Sequence, residues 1–136
     1  MTKEKITQEF AQVEFDRFIE MMDIDIDPDD MNEEDKASLE TQKKKLVKAM
    51  VKGSLYINDN GEPVYTTQRD KEPKVITFHE SDGGALMAMD KRARNADVGK
   101  MFASLGEITK TSSATFVKMK QSDLKICMAI GALFLG

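Results

Sequence analysis

Asn60-Gly61, set between Leu55-Tyr56-Ile57 and Val64-Tyr65-Thr66, constrains this chain more than any other pair of residues. A tight hairpin turn needs positive φ at both central positions, which Asn and Gly tolerate, and the flanking runs are mostly β-branched or aromatic. An antiparallel hairpin is therefore expected over residues 55–66. Taking Asn60-Gly61 as a two-residue turn sets Asp59 opposite Glu62, Asn58 opposite Pro63, Ile57 opposite Val64 and Tyr56 opposite Tyr65. Pro63 then occupies a non-hydrogen-bonded pair, where its missing N–H costs the hairpin nothing. Gln68–Pro73 is a polar connector, and Val75–Glu80 alternates at period 2 as a third strand.

The passage from Lys74 to Asp90 then changes period. Its first half reads as that strand; from Ser81 onward small and straight-chain residues favour a helix. The switch falls at Ser81-Asp82-Gly83-Gly84, where Ser81 or Asp82 can cap the helix and the two glycines permit a sharp turn. Beyond it, Ala85–Ala93 forms one helix. Val98, Met101, Phe102, Leu105 and Ile108 keep helical spacing in a second, capped by Asn95 or Asp97. A short turn at Thr111-Ser112-Ser113 carries Phe116, Val117 and Met119, and Ser122 or Asp123 caps a last helix from Leu124 to about Leu135.

Before the hairpin the chain is helical and acidic. Ala11, Phe15, Phe18 and Met22 mark an apolar face on a helix from about residue 3 to 22, with Thr2 as its cap and Phe10 and Val13 broadening the face. Asn32 caps a second helix running to Lys52. Glu33, Glu34 and Asp35 complement its positive end, lysines complement its negative end, and Gly53 stops it. Its first two turns are poor in apolar residues and are expected to project into solvent or against another chain.

The fold class that follows is α+β, mainly helical with a small antiparallel three-stranded sheet. The whole of 1–136 is read as a single domain, with an N-terminal helical arm and acidic loop at 1–53, the sheet at 54–80 and a C-terminal helical part at 81–136. The length can support its own core. Residues 1–40 hold 4 Lys+Arg and 14 Asp+Glu, a charge of -10; residues 41–136 hold 16 and 10, a charge of +6. Such polarity allows copies to associate through opposite ends.

Several function classes lose support on composition. One histidine, no Trp and a single Cys127 inside an apolar run leave no nucleophile–base pair, so no catalytic residue and no cofactor is expected. His79 on a strand reads as structural. Ser81–Gly84 lacks the spacing and the lysine of a phosphate-binding loop. No signal peptide is expected, because Lys3 and Lys5 are followed by acids; the longest uncharged apolar run, Ile126–Gly136, is too short to cross a bilayer. Neither membrane nor nucleic acid is expected as a partner, although Lys91, Arg92 and Arg94 define the nucleic-acid alternative.

The sharpest chemical pattern is acidic. Asp23, Asp25, Asp27, Asp29 and Glu34 stand at positions 1, 3, 5, 7 and 12 of an EF-hand-like loop. Pro28 occupies position 6, where the loop turns on a glycine, and Asp30 occupies the usually apolar position 8. An acidic interhelical loop that caps the next helix is the plainer reading, and no metal is expected. A calcium- or partner-regulated helical binding module using loop 23–34 stands as the alternative function, and a calcium-independent melting temperature is the expectation.

The order Ile76-Thr-Phe-His-Glu80, Gly83-Gly84-Ala-Leu86-Met-Ala-Met-Asp90, a helix with Leu105 and Ile108, Ser122-Asp123-Leu124 and a closing apolar helix resembles the tail assembly chaperones of long-tailed bacteriophages. The resemblance covers residues 74–136. It implies a non-enzymatic protein of viral tail assembly that acts in the host cytoplasm and is absent from the mature virion. Its client is the tape measure protein, around which it helps recruit tail-tube protein subunits. The resemblance also implies a longer product made by ribosomal frameshifting, whose added domain contacts the tail-tube protein; Leu133-Phe134-Leu135 is a stretch that slippery codons can encode. Ten methionines suit an adaptable apolar surface. The interaction residues expected on the helices are Phe10, Phe15, Phe18, Met22, Met128, Leu133, Phe134 and Leu135, because helices 3–22 and 124–135 each carry more apolar face than a small sheet covers. Self-association is expected from the same excess.

Overall fold

The computed structural model describes residues 6–24, 29, 31–80 and 97–135. Among them are five helices, α1 (Gln8–Met21), α2 (Glu33–Lys52), α3 (Asp97–Thr109), α4 (Ser113–Val117) and α5 (Gln121–Leu135), and three strands, β1 (Leu55–Ile57), β2 (Pro63–Thr66) and β3 (Val75–Thr77). The architecture is α+β, mainly helical with one antiparallel sheet in the order β1-β2-β3. The Ser81–Gly84 joint and the helix expected at 85–93 lie outside the described residues.

α1 begins later than its apolar period suggested. Thr7, in extended conformation, accepts a hydrogen bond from the Phe10 N–H at 3.1 Å through its side chain, so Thr7 rather than Thr2 is the cap. Its other end closes on the acidic loop. The Asp23 N–H donates to the Glu20 carbonyl and the Ile24 N–H to the Ile19 carbonyl, with Asp23 at φ 51°. This is a Schellman closure with Asp in the left-handed position that glycine usually takes. α2 follows its expected limits. Asn32 accepts from the Asp35 N–H at 2.8 Å, and Gly53 at φ 88° closes the helix, the Ser54 N–H reaching back to the Ala49 carbonyl.

The hairpin forms where expected, but its register differs by one residue. Leu55 faces Tyr65, Tyr56 faces Val64 and Ile57 faces Pro63. The cause is Asn58. Its side-chain oxygen accepts from the N–H groups of both Asn60 and Glu62 at 2.9 Å, while the Gly61 N–H donates to the Asn58 carbonyl and Gly61 takes φ 80°. Residues 59–61 therefore form a three-residue loop with glycine in the left-handed position, in place of the two-residue turn. Pro63 still begins its strand in a place where β1 needs no N–H from it.

β3 is shorter than the period-2 run to Glu80. One more bond, from the Phe78 N–H to the Pro63 carbonyl, extends the ladder past Thr77. Pro63 has no N–H to return, and His79 turns its own N–H to the Ile108 carbonyl of α3 at 2.8 Å. The sheet is thereby tied to the C-terminal helices.

One hydrophobic cluster joins all of these elements. Phe15 and Phe18 of α1, Leu46 and Met50 of α2, Leu55, Tyr65 and Phe78 of the sheet, Leu105 and Ile108 of α3, Phe116 of α4 and Ile130 of α5 are buried in it. Burying each such side chain contributes about 2–3 kcal/mol. A polar anchor accompanies the cluster. Asp123, expected as a helix cap, instead accepts from the Tyr65 hydroxyl at 2.6 Å and from the backbone N–H groups of Gln68 and Arg69 at 2.8 and 3.0 Å. Three donors satisfy this buried carboxylate, which pins the start of α5 to the end of β2.

Candidate functional site

α1 carries two apolar stripes. Ala11, Phe15 and Phe18 point into the core. Phe10 and Val13 point outward and are 52% and 61% exposed, with Met21 exposed further along the same side. A single 3.6-residue period blurs the two stripes together, and for that reason Phe10 and Val13 read in sequence as a widening of the inner face.

The outer stripe borders the edge strand β1. Arg17, which lies in it, donates to the carbonyls of Ile57 at 2.9 Å and Asn58 at 3.0 Å while holding Glu14 at 2.6 Å. Gly61 abuts the same helix. A Cβ on Gly61 would stand 2.6 Å from the Met21 Cβ, so only glycine lets the hairpin loop close on the end of α1. N-terminal to Arg17, helix and strand part to leave a groove of about 400 Å³ lined by Ile6, Phe10, Glu14, Met50, Leu55, Tyr56 and Ile57. Its lining is mixed, mostly apolar side chains with the Glu14 carboxylate, which Arg17 engages. On the opposite flank of α1 a second cleft, of about 470 Å³, runs against α2 and is lined by lysines.

The expected interaction residues divide between surface and interior. Phe10 is on the surface. Phe15, Phe18 and Leu133 are buried in the core, so none of them presents a face to a partner in the folded chain. The Phe15 and Phe18 rings meet edge to face at 6.3 Å, and Phe18 meets Phe134 at 5.6 Å. The apolar faces of α1 and α5 thus cover each other in part. Met22, Met128 and Phe134 are half-buried against the cluster, and Leu135 closes α5 with its side chain outside the described set. Val13 joins the site through the structure alone; Leu55 and Ile57 are buried and form only the floor of the groove, and alternation along β1 marks them as one face but not which helix lies beside it.

Of the acidic loop, Asp23, Asp29 and Glu34 are described and Asp25, Asp27 and Pro28 are not. Asp23 serves as the left-handed closing residue of α1. Among the described residues no group of three or more His, Cys, Asp or Glu side chains is placed to hold a metal.

His79 stands with its Nδ1 2.6 Å from a Glu62 carboxylate oxygen. Burial pushes the Glu62 carboxyl up, but hydrogen bonds from Asn58 and His79 and the nearby charge of His79 outweigh it and hold the group below its ordinary value. The pair links the hairpin to α3 through the His79 N–H to the Ile108 carbonyl. Cys127 is buried beside Met119, and burial, reinforced by the charge of Asp123, pushes its thiol up to about 12. It is held as the unreactive thiol. No helix among the described residues is long and apolar enough to cross a membrane. Compared with protein-family models, with curated proteins and with solved structures, the chain finds no match in any of the three.

Proposed function

We propose that this protein is a non-enzymatic tail assembly chaperone of a long-tailed bacteriophage, which binds the tape measure protein and helps recruit tail-tube subunits during tail morphogenesis in the host cytoplasm. The observation that carries the reading is the outer stripe of α1. A large aromatic and a β-branched residue stand more than half exposed on a helix whose other face is fixed in the core. Isolated apolar residues are ordinary on surfaces, but Phe10 lines a formed groove, the arrangement by which amphipathic helices are taken up. A long helical client offers apolar residues at i, i+3, i+4 and i+7, and the exposed Phe10 and Val13 beside that groove offer a complementary surface. The resemblance of residues 74–136 to the chaperone family supplies the identity of that client.

Co-expression with the candidate tape measure protein tests this directly. The wild-type chain is expected to keep the client soluble and to co-purify with it. Phe10→Asp with Val13→Asp is expected to leave the fold stable to within about 0.5 kcal/mol, since both side chains are exposed, and to lose the client. A client that stays insoluble with the wild type, or that binds the double variant equally well, overturns the reading.

A further inference from the structure

α2 carries opposite charges at its two ends and shows both to solvent. Glu33, Glu34 and Asp35 are exposed in its first turn, and the only ion pair recorded there among the described residues is Glu33 with Lys36 at 3.8 Å. Its second half, residues 43–52, holds five lysines and no acid. Lys43, Lys44 and Lys48 line the cleft of about 470 Å³ between α1 and α2, with Glu40 and Val51 on the same wall. Lys43 lies over the Phe15 ring at 5.6 Å from its centre, and no carboxylate among the described residues pairs with any of the three. The acids of the first turn cannot reach these lysines in their own chain. At about 1.5 Å per residue, Glu33 and Lys44 are held about 16 Å apart by continuous helix.

The spacing along α2 adds a second constraint. Glu33, Ala37, Glu40 and Lys44 are exposed and recur at intervals of 4, 3 and 4, the heptad interval at which two helices can share a seam; Val47 and Val51, next in the series, pack into the chain's own core and end the free stripe. This stripe meets the lysine-lined cleft at Glu40 and Lys44. Laid antiparallel on a second copy about residue 42, the stripe sets Glu40 of each chain against Lys44 of the other. The acidic first turn of each chain then runs toward the lysine cleft of its partner. An antiparallel arrangement meets the charge pattern twice, whereas a head-to-tail contact meets it once.

We propose that the lysine-lined face of α2 is a self-recognition surface, through which two copies of this chain pair antiparallel with Glu40 and Lys44 in reciprocal contact. The contact is separate from the outer stripe of α1, so it can fail without touching the client-binding reading. It is mostly polar, hence weak and salt-sensitive. Raising the salt from about 50 mM to about 500 mM shrinks the screening length from about 14 Å to about 4 Å and is expected to weaken the pair tenfold or more.

Sedimentation velocity on the full chain tests this. Wild type is expected to form a dimer at low salt and to become a monomer at high salt. E40K and K44E are each expected to be monomeric at low salt with unchanged helical signal and melting temperature, because both positions are exposed. An equimolar mixture of the two is expected to dimerise again, since each contact then joins a lysine to a glutamate, and the double variant E40K/K44E is expected to recover self-association. A wild type that is monomeric at low salt overturns the proposal, as does a dimer indifferent to K44E or a mixture that stays monomeric. Salt-steep binding of duplex DNA that K44E abolishes, in a wild type that stays monomeric, would assign the lysines to nucleic acid instead and overturn it equally.

Discussion

α1 and α5 are both rich in apolar residues, and the structure uses them in different ways. In α5 those residues surround the helix: Cys127, Ala129, Ile130 and Leu133 are buried, Leu124, Ile126, Met128 and Phe134 are half-buried, and between Gln121 and Phe134 exposure is confined to Gln121, Ser122 and Lys125 near its start. Helix, sheet and loop lie around it. In α1 the apolar residues form two stripes with charge between them; the inner stripe is covered by the core, while the outer one meets only the hairpin at its C-terminal end and is left exposed at Phe10 and Val13. Apolarity spread around a helix therefore marks a central element, and apolarity in two separated stripes marks a helix that joins an inner surface to an outer one. The difference also explains why total apolar content was a poor guide to where this protein meets partners. The inner face of α1 packs chiefly on α2 and α5 chiefly on α2 and α3, with α1 and α5 meeting at the rings of Phe18 and Phe134.

The two stripes of α1 should separate cleanly by mutation, and the inner one carries the largest effect. Phe18 is 1% exposed and touches Phe15 and Phe134, so Phe18→Ala opens a cavity between α1 and α5. A loss of about 3–5 kcal/mol is expected. Phe10→Ala, a change of the same chemistry one stripe away, is expected to move stability by about 0.5 kcal/mol or less. Urea titration of the two variants measures the contrast. Equal losses would mean that Phe10 is covered in solution and that the outer stripe is not available.

The next effect lies at the start of α5. Asp123→Ala removes the acceptor of three hydrogen bonds and leaves the Tyr65 hydroxyl and two backbone N–H groups without it. About 2–4 kcal/mol is expected, because stranded buried donors keep their desolvation cost. Asp123→Asn retains one acceptor and is expected to lose about half as much. In α1 the corresponding start is the exposed Thr7 cap, whose replacement by Ala should cost about 1 kcal/mol. Thermal melts of the three variants rank them; a Thr7 variant as damaging as Asp123→Ala would reverse the distinction between a surface helix and a central one.

How much of this could be read in advance depends on the range of the interaction involved. The limits of α2 follow from Asn32 and Gly53, which act on backbone groups within four residues of themselves. The hairpin follows from Asn60-Gly61 for the same reason. Its register did not, because the Asn58 side chain intervenes from two residues upstream and converts the turn to a three-residue loop. Asp123 looked like a cap because Asp near a helix start is usually one, yet its partners are more than fifty residues away in sequence and no local pattern announces them. At the candidate site, Phe10 was legible as a large apolar residue on an amphipathic helix. Its outward direction was not, since that depends on which side of α1 the edge of β1 occupies.

An effect about the size of the Thr7 cap is expected where the hairpin meets the C-terminal helices. Arg17 ties the hairpin to α1, and Glu62 with His79 ties it to the α3 side. Glu62 is held below the ordinary carboxylate value in the folded chain, so its ionised form is favoured by folding. A depressed carboxylate stabilises above its unfolded pKa of about 4.3, and that contribution is lost as pH falls through the folded value. Glu62→Gln keeps the shape but removes the charge, and a loss of about 1 kcal/mol is expected at neutral pH. The gap between wild type and variant should narrow as pH falls below the unfolded carboxylate value of about 4.3 and through the lower folded one, as the wild-type carboxylate takes up its proton. Urea titrations of both chains at about pH 7, 5 and 3.5 follow the gap. If it persists undiminished at the lowest pH, the Glu62 contribution is one of shape and neutral hydrogen bonding, and the hairpin is fastened to α3 by the His79 N–H to Ile108 bond without help from charge.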